Sequence, residues 1–139
     1  MSTTVGDFKT TFLVKKASFV SNGKNGNFSF APEIRVGFNR ISDKEWETVI
    51  NVRVVDKEEQ PFPFNLDVIV SLFTFFPKEL PDGFSLENYL KVSSINILYP
   101  YVRSVVTNLT STAMVQPLYL PLIDPVKFAE NIQIPELNQ

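Results

Sequence analysis

The sequence predicts an α+β domain: a four-stranded antiparallel sheet, then a long helix, an extended crossover loop and a short C-terminal helix. Three observations predict it. The first half alternates apolar and polar residues with a period of two, interrupted by polar turns. The apolar spacing then changes to three and four, from Ile95 to Ala113. Last, an apolar stretch with two prolines, Val115 to Ile123, precedes Asp124-Pro125, a pair suited to starting a helix. The 139 residues are expected to form one domain, with residues 1–10 and 134–139 flexible.

Each strand has its own pattern. Thr11 to Val20 is β-rich, and its alternation changes phase near Lys15-Lys16, the mark of a β-bulge. Ser21 to Asn27 is a loop with two Asn/Gly turn signals. In the next strand Ile34, Val36 and Phe38 alternate with Glu33, Arg35 and Asn39. After the turn at Ser42 to Glu45, Ile50, Val52 and Val54 alternate with Asn51 and Arg53. Asp56 to Gln60 is a charged turn. The fourth strand begins near Phe62, with Pro63 early enough for a strand start. Phe64, Leu66, Val68, Val70 and Leu72 form its inner face. Ile69, Phe73 and Phe75 lie on the other face, which calls for a loop, a second subunit or a binding partner there.

Pro77 to Gly83 breaks the chain, and Ser85 or Asp82 can cap a short helical turn through Leu90. The long helix runs from near Ser94 to Ala113, with Pro100 close enough to its start to limit the cost of the lost backbone bond. The last helix spans Pro125 to about Asn131, with Phe128 and Ile132 on one side.

Composition narrows the function. Net charge is −2 and no basic patch of the kind phosphate binding needs stands out, so no nucleic-acid partner is expected. Cysteine and histidine are both absent, which removes disulfides, thiol nucleophiles, imidazole bases and Cys/His metal sites together. No phosphate-cradling glycine motif is present, and Asp56, Glu58 and Glu59 form a solvated turn. Asn108-Leu109-Thr110 matches a glycosylation sequon but falls inside the predicted helix. An enzyme is therefore not expected, nor any cofactor. The first ten residues lack the apolar core of a signal peptide, and no run approaches a membrane span. The expected location is the cytoplasm, with no membrane partner. What stands out is the aromatic content, 13 Phe, 4 Tyr and 1 Trp, more than a small core readily hides.

Asn96-Ile97-Leu98-Tyr99-Pro100-Tyr101-Val102-Arg103 resembles the signature of the SecB protein-export chaperones. That family carries Asn-Ile-Leu-Phe-Pro-Tyr-Ala-Arg at the start of its long helix. The register continues without a gap to Leu118 and Leu120 of a leucine-containing crossover loop, and on through Ile123-Asp124. Upstream, Phe30-Ala31-Pro32-Glu33-Ile34-Arg35-Val36 resembles the family's Trp-x-Pro-Glu-Val-Lys-Leu strand. The family's glycine at the helix end is Ala113 here, so the cap must be built differently.

The resemblance implies a holdase that binds unfolded or precursor polypeptide in apolar grooves. The groove would use Phe30, Val115, Leu118, Leu120, Ile123 and Phe128. It implies a homo-oligomer, a dimer of dimers, with Ile95, Tyr99, Val102, Val106 and Leu109 of the long helix at the interface. It also implies delivery to the translocation ATPase SecA. Asp67 matches one acidic contact, but residues 18–22 carry no carboxylate where others would lie. The alternative is an interaction protein of the same fold with one dedicated partner, such as an antitoxin-type client.

Overall fold

The computed structural model describes residues 2–5 and 8–134. Period-two alternation gives five strands: β1 (Ser2–Val5), β2 (Phe8–Ser21), β3 (Glu33–Ser42), β4 (Glu45–Val54) and β5 (Phe64–Phe75). All neighbours are antiparallel, in the order β1-β2-β5-β4-β3. The four expected strands are present, and β1 adds a short fifth. β3, β4 and β5 form a meander, while β2 lies on the far side of β5, as in a Greek key. Residues 22–32 must therefore cross one end of the sheet from β2 to β3, and this crossing builds one wall of the site described below.

The bulge falls where the alternation changes phase, between Val14 and Lys16. Its extra residue puts consecutive lysines on the same outer face. Lys15 Nζ reaches Glu47 Oε2 at 2.5 Å, and Lys16 Nζ reaches Asp67 Oδ2 at 2.8 Å.

The inner face carries the core. Ile50, Val52, Val68, Val70 and Leu72 are buried against Ile95, Leu98, Val102 and Val106 of the long helix. At about 1.5–3 kcal/mol for each fully buried aliphatic side chain, this layer is the largest source of the fold's stability. A second cluster joins Trp46, Phe76, Tyr89, Leu90 and Ile134. Phe8 meets Phe76, Phe84 and Tyr89 edge-on, with centroids 5.1–5.4 Å apart. This cluster takes in residues from both stretches that were expected to be flexible. Phe8, Lys9 and Thr10 belong to β2, and Ile134 is buried because it closes the aromatic cluster. The rest of the expected C-terminal tail, 135–139, lies outside the described residues, as do Met1, Gly6 and Asp7.

Ser85 caps α1 (Leu86–Asn88) by accepting the Asn88 N–H. The helix does not stop at Leu90 as expected. A wide turn, Tyr89–Ser94, carries it into α2 (Ile95–Thr112). That turn reconciles two buried residues five apart, Leu90 and Ile95, which an ordinary helix would rotate to different sides. Pro100 sits inside α2 with its ring exposed. The short α3 (Pro125–Ala129) starts as predicted, with Asp124 accepting the Val126 N–H and Pro125 at the first helical position.

The missing glycine is replaced in an unexpected way. Ala113 is the C-cap, and Met114 takes the left-handed position at φ 61°. The Met114 N–H donates to the Ser111 carbonyl, and the Val115 N–H to that of Thr110. This is a Schellman ending with methionine where glycine is usual.

Candidate functional site

Beyond Met114 the chain runs extended back along α2. Its backbone is held by helix side chains rather than by a strand. The Thr110 hydroxyl accepts the Leu118 N–H at 2.9 Å, and the Thr107 hydroxyl donates to the Leu118 carbonyl at 2.8 Å. The Tyr99 hydroxyl donates to the Pro121 carbonyl at 2.5 Å. Held this way, the segment alternates from Leu118 to Pro121: Leu120 points into the core at 2% exposure between the exposed Tyr119, at 71%, and Pro121, and the alternation ends at Leu122, which is exposed as well.

Between this segment and the 22–32 crossing lies a groove of about 440 Å³. Phe28 and Phe30 line one side, Phe62, Pro63 and Phe64 the floor, and Val115 to Tyr119 the other side. The rings pack on one another: Phe62 lies 4.9 Å from Phe64 and 6.1 Å from both Phe28 and Phe30. Asp56 fastens the crossing to the floor. Its carboxylate takes Lys24 Nζ, Asn22 Nδ2 and the Phe62 N–H, all within 3.0 Å. The Lys24 hydrogen bond, then that of the Phe62 N–H, holds the Asp56 carboxyl below its ordinary range.

Of the six residues expected in the groove, the structure brings together Phe30, Val115 and Leu118. The other three lie outside its lining. Leu120 is core, because alternation along the extended segment turns it inward. Ile123 and Phe128 pack on the main core beyond the end of the groove. The sequence reading missed Phe28, Phe62, Phe64 and Tyr119. Two Phe-x-Phe patterns, Phe28-Ser29-Phe30 and Phe62-Pro63-Phe64, are the signal that would have found most of them. Asp56, read as part of a solvated turn, is instead the fastening of a groove wall.

The groove contains no convergent polar set of the kind catalysis needs, and no cluster of metal-ligating side chains exists among the described residues. Among the described residues no helix is long and apolar enough to cross a membrane.

The family model of the preprotein translocase subunit SecB matches residues 10–133. The chain belongs to the SecB family. A protein of Methanocaldococcus jannaschii described as uncharacterized is 28% identical over 132 residues, covering 89% of this chain and 83% of that one. Among solved structures, the Mycobacterium tuberculosis Rv1957 SecB-like chaperone, in complex with a ChAD peptide from the Rv1956 HigA1 antitoxin, superposes with a TM-score of 0.63. It is 16% identical, and the match covers 82% of this chain and 88% of that one. β1 lies before the start of the SecB match, so it is an addition to the matched region.

In this SecB-family chain the helix stripe expected at an oligomer interface is mostly core. Ile95, Tyr99, Val102 and Val106 are 0–5% exposed against the chain's own sheet and crossover segment, and Leu109 is partly buried beside them. The apolar spacing of the helix is accounted for by packing within the chain itself. Asp67 is also less available than expected. Its carboxylate takes Lys16 Nζ and Asn51 Nδ2, each at 2.8 Å. Burial alone would raise its pKa, but these partners outweigh it and the net direction is down.

Proposed function

We propose that the protein is a holdase that binds unfolded polypeptide along the groove between the 22–32 crossing and the crossover segment. The carrying observation is the groove itself: about 440 Å³, open, floored by packed rings and continued by the outward-facing Tyr119. Broad aromatic walls gain from burying many apolar sequences without demanding one geometry. Family membership and the SecB-like fold support the same reading. Neither a nucleotide nor a cofactor is needed for it.

The reading is holding rather than SecA delivery. Asp67 is compensated within the sheet, and no carboxylate stands among residues 18–22. A dedicated client is the second reading, favoured by the antitoxin peptide held in the Mycobacterium tuberculosis structure. Self-association belongs to the proposal too, but through a different surface from the buried stripe. Arg103 is the one charged residue of α2, and Ile97, Tyr101 and Val105 flank the side toward β2. Tyr101 stacks on Phe12 at 4.1 Å, beside the half-exposed Val14. This uncharged apolar flank suits a second copy of the chain.

The test is suppression of aggregation of a chemically denatured client, with Tyr119→Asp as the groove variant. Its side chain is exposed, so the fold should survive. Protection by the wild type and its loss in the variant are expected. No protection by the wild type would overturn the holdase reading, and protection of one client alone would select the dedicated partner.

A further inference from the structure

A second cavity, of about 290 Å³, lies behind the groove wall. Phe28 and Phe30 line the groove, whereas Ser29, Ala31 and Pro32 line this cavity, and Phe62 borders both. The turn after β4 forms its far side. Lys57 and Gln60 exchange both backbone hydrogen bonds, each at 3.1 Å, around Glu58-Glu59. A pair bonded in this way carries its two side chains on one side, and both residues line the cavity. Val54 and Phe62, both buried, give it an apolar floor.

The polar side holds two cations and one carboxylate. Lys57 Nζ lies 3.1 Å from Glu33 Oε1, so these two charges largely cancel. Arg53 is different. It stands in register between Glu33 of β3 and Asp67 of β5, but Lys57 holds the first and Lys16, at 2.8 Å, the second. Arg53 makes no ion pair and no side-chain hydrogen bond with any described residue. Arg53 and Lys57 against Glu33 leave a single positive charge in the cavity, in a chain whose own net charge is −2. Arg53 also borders a smaller cavity of about 170 Å³ toward β2. Asp67 lines that one without its lysine, so an anion is opposed there.

We propose that the cavity behind the groove wall binds a small monocarboxylate with an apolar body, its carboxylate on Arg53 and its body on Phe62 and Val54. A guanidinium presents two parallel N–H groups that match a carboxylate. Ser29 and Gln60 supply further donors. The apolar floor gains from burying a ring or a branched chain. The volume is near the lower end for ligand sites, about 300 Å³, which suits a metabolite-sized molecule. Glu33 opposes a second negative charge, and no helix N-terminus lines the cavity, so a phosphate dianion fits poorly. The site does not depend on the holdase reading, because it lies on the other side of the wall and needs no client.

The test is titration of phenylacetate, phenylacetamide and inorganic phosphate into the full chain, followed by backbone amide NMR shifts. Phenylacetate should bind saturably and move Ala31, Val55 and Lys57 rather than Leu118 and Tyr119. Phenylacetamide keeps the shape without the charge and should bind about tenfold more weakly or worse. Arg53→Gln should lose phenylacetate by a similar factor with thermal unfolding little changed, since the side chain is exposed. Arg53→Lys, a point charge without the fork, should fall between the two. Absence of saturable phenylacetate binding, equal affinity for acid and amide, or unchanged affinity in Arg53→Gln would overturn the site. Phosphate binding as tightly as phenylacetate would overturn the carboxylate assignment. Shifts confined to Leu118 and Tyr119 would place the ligand in the groove and overturn the proposal too.

Discussion

The Thr110 hydroxyl accepts the Leu118 N–H at 2.9 Å and donates to the Val106 carbonyl at the same distance, so one fully buried side chain joins the last turn of α2 to the groove wall. Valine has the same shape and no acceptor. Thr110→Val should therefore cost about 1–3 kcal/mol, the penalty of a hydrogen-bond donor left without its partner in a buried site. Denaturant unfolding measures it. Because the lost bond positions Leu118, client affinity should fall more in this variant than in Thr112→Val, whose side chain is exposed. Equal stability of Thr110→Val and wild type would show that the crossover segment is held by packing alone.

Glu47 is a second fixed point, on the opposite face of the sheet. It is nearly buried, yet it takes Lys15 Nζ at 2.5 Å, the Ser71 hydroxyl at 2.7 Å and Asn39 Nδ2 at 3.2 Å, from three different strands. Burial is the largest influence and raises the pKa, but the three donors together outweigh it and hold the carboxyl below 4.5. The sign follows by linkage. A carboxyl with a lowered folded-state pKa adds stability that is present above its unfolded pKa and is lost as pH falls through the folded one. Wild-type stability minus that of Glu47→Gln should thus be constant at neutral pH and shrink below about pH 4. A difference that grows on acidification would contradict this assignment.

Most of the fold was legible because its signals are local. The period-two runs around Ile50 and Val68, and the shift to spacings of three and four at Ile95, follow directly from which side chains face the core. The bulge was legible as a phase change at Lys15-Lys16, and both helix starts were legible from Ser85 and Asp124-Pro125. The continuation of α1 into α2 was not. A wide turn leaves no sequence mark beyond Leu90 and Ile95 lying five apart. The groove was half legible. Val115 and Leu118 stood out in an apolar extended segment, but which of its residues face inward depends on the hydrogen bonds from Thr107 and Thr110. The partners of Phe30 come from a turn more than thirty residues away, joined by the Greek-key crossing, and no local pattern encodes that closure.

Met114 makes the helix ending testable. Its φ of 61° is a region where a side chain crowds the following carbonyl, and its own side chain is 94% exposed, so it gains little from burial. Relief of that crowding is partly offset by the greater freedom of glycine in the unfolded chain. Met114→Gly should stabilise the protein by about 0.5–1 kcal/mol, and Met114→Val should destabilise it, because a β-branched residue tolerates this conformation worst. Thermal unfolding of the two variants checks both directions. A destabilised glycine variant would mean that the exposed methionine makes a contact in the assembled protein.

Asp56 supplies the last prediction, because it connects electrostatics to the groove. Its carboxylate draws Asn22 and Lys24 of the crossing toward the Phe62 backbone, and Phe62 is the ring on which Phe28 and Phe30 rest. Asp56→Asn keeps the size and removes the charge. The Lys24 ammonium then loses its anion, and an amide oxygen replaces a charge-assisted acceptor. The crossing should loosen without the sheet unfolding. Hydrogen exchange at 22–30 should quicken while β4 and β5 stay protected, and client binding should weaken several-fold with global stability nearly unchanged. Because Lys24 is about half exposed, raised salt should weaken wild-type binding toward that of the variant and leave the variant unaffected. Exchange that quickens across the whole sheet would assign Asp56 to the stability of the fold instead of to the wall of the groove.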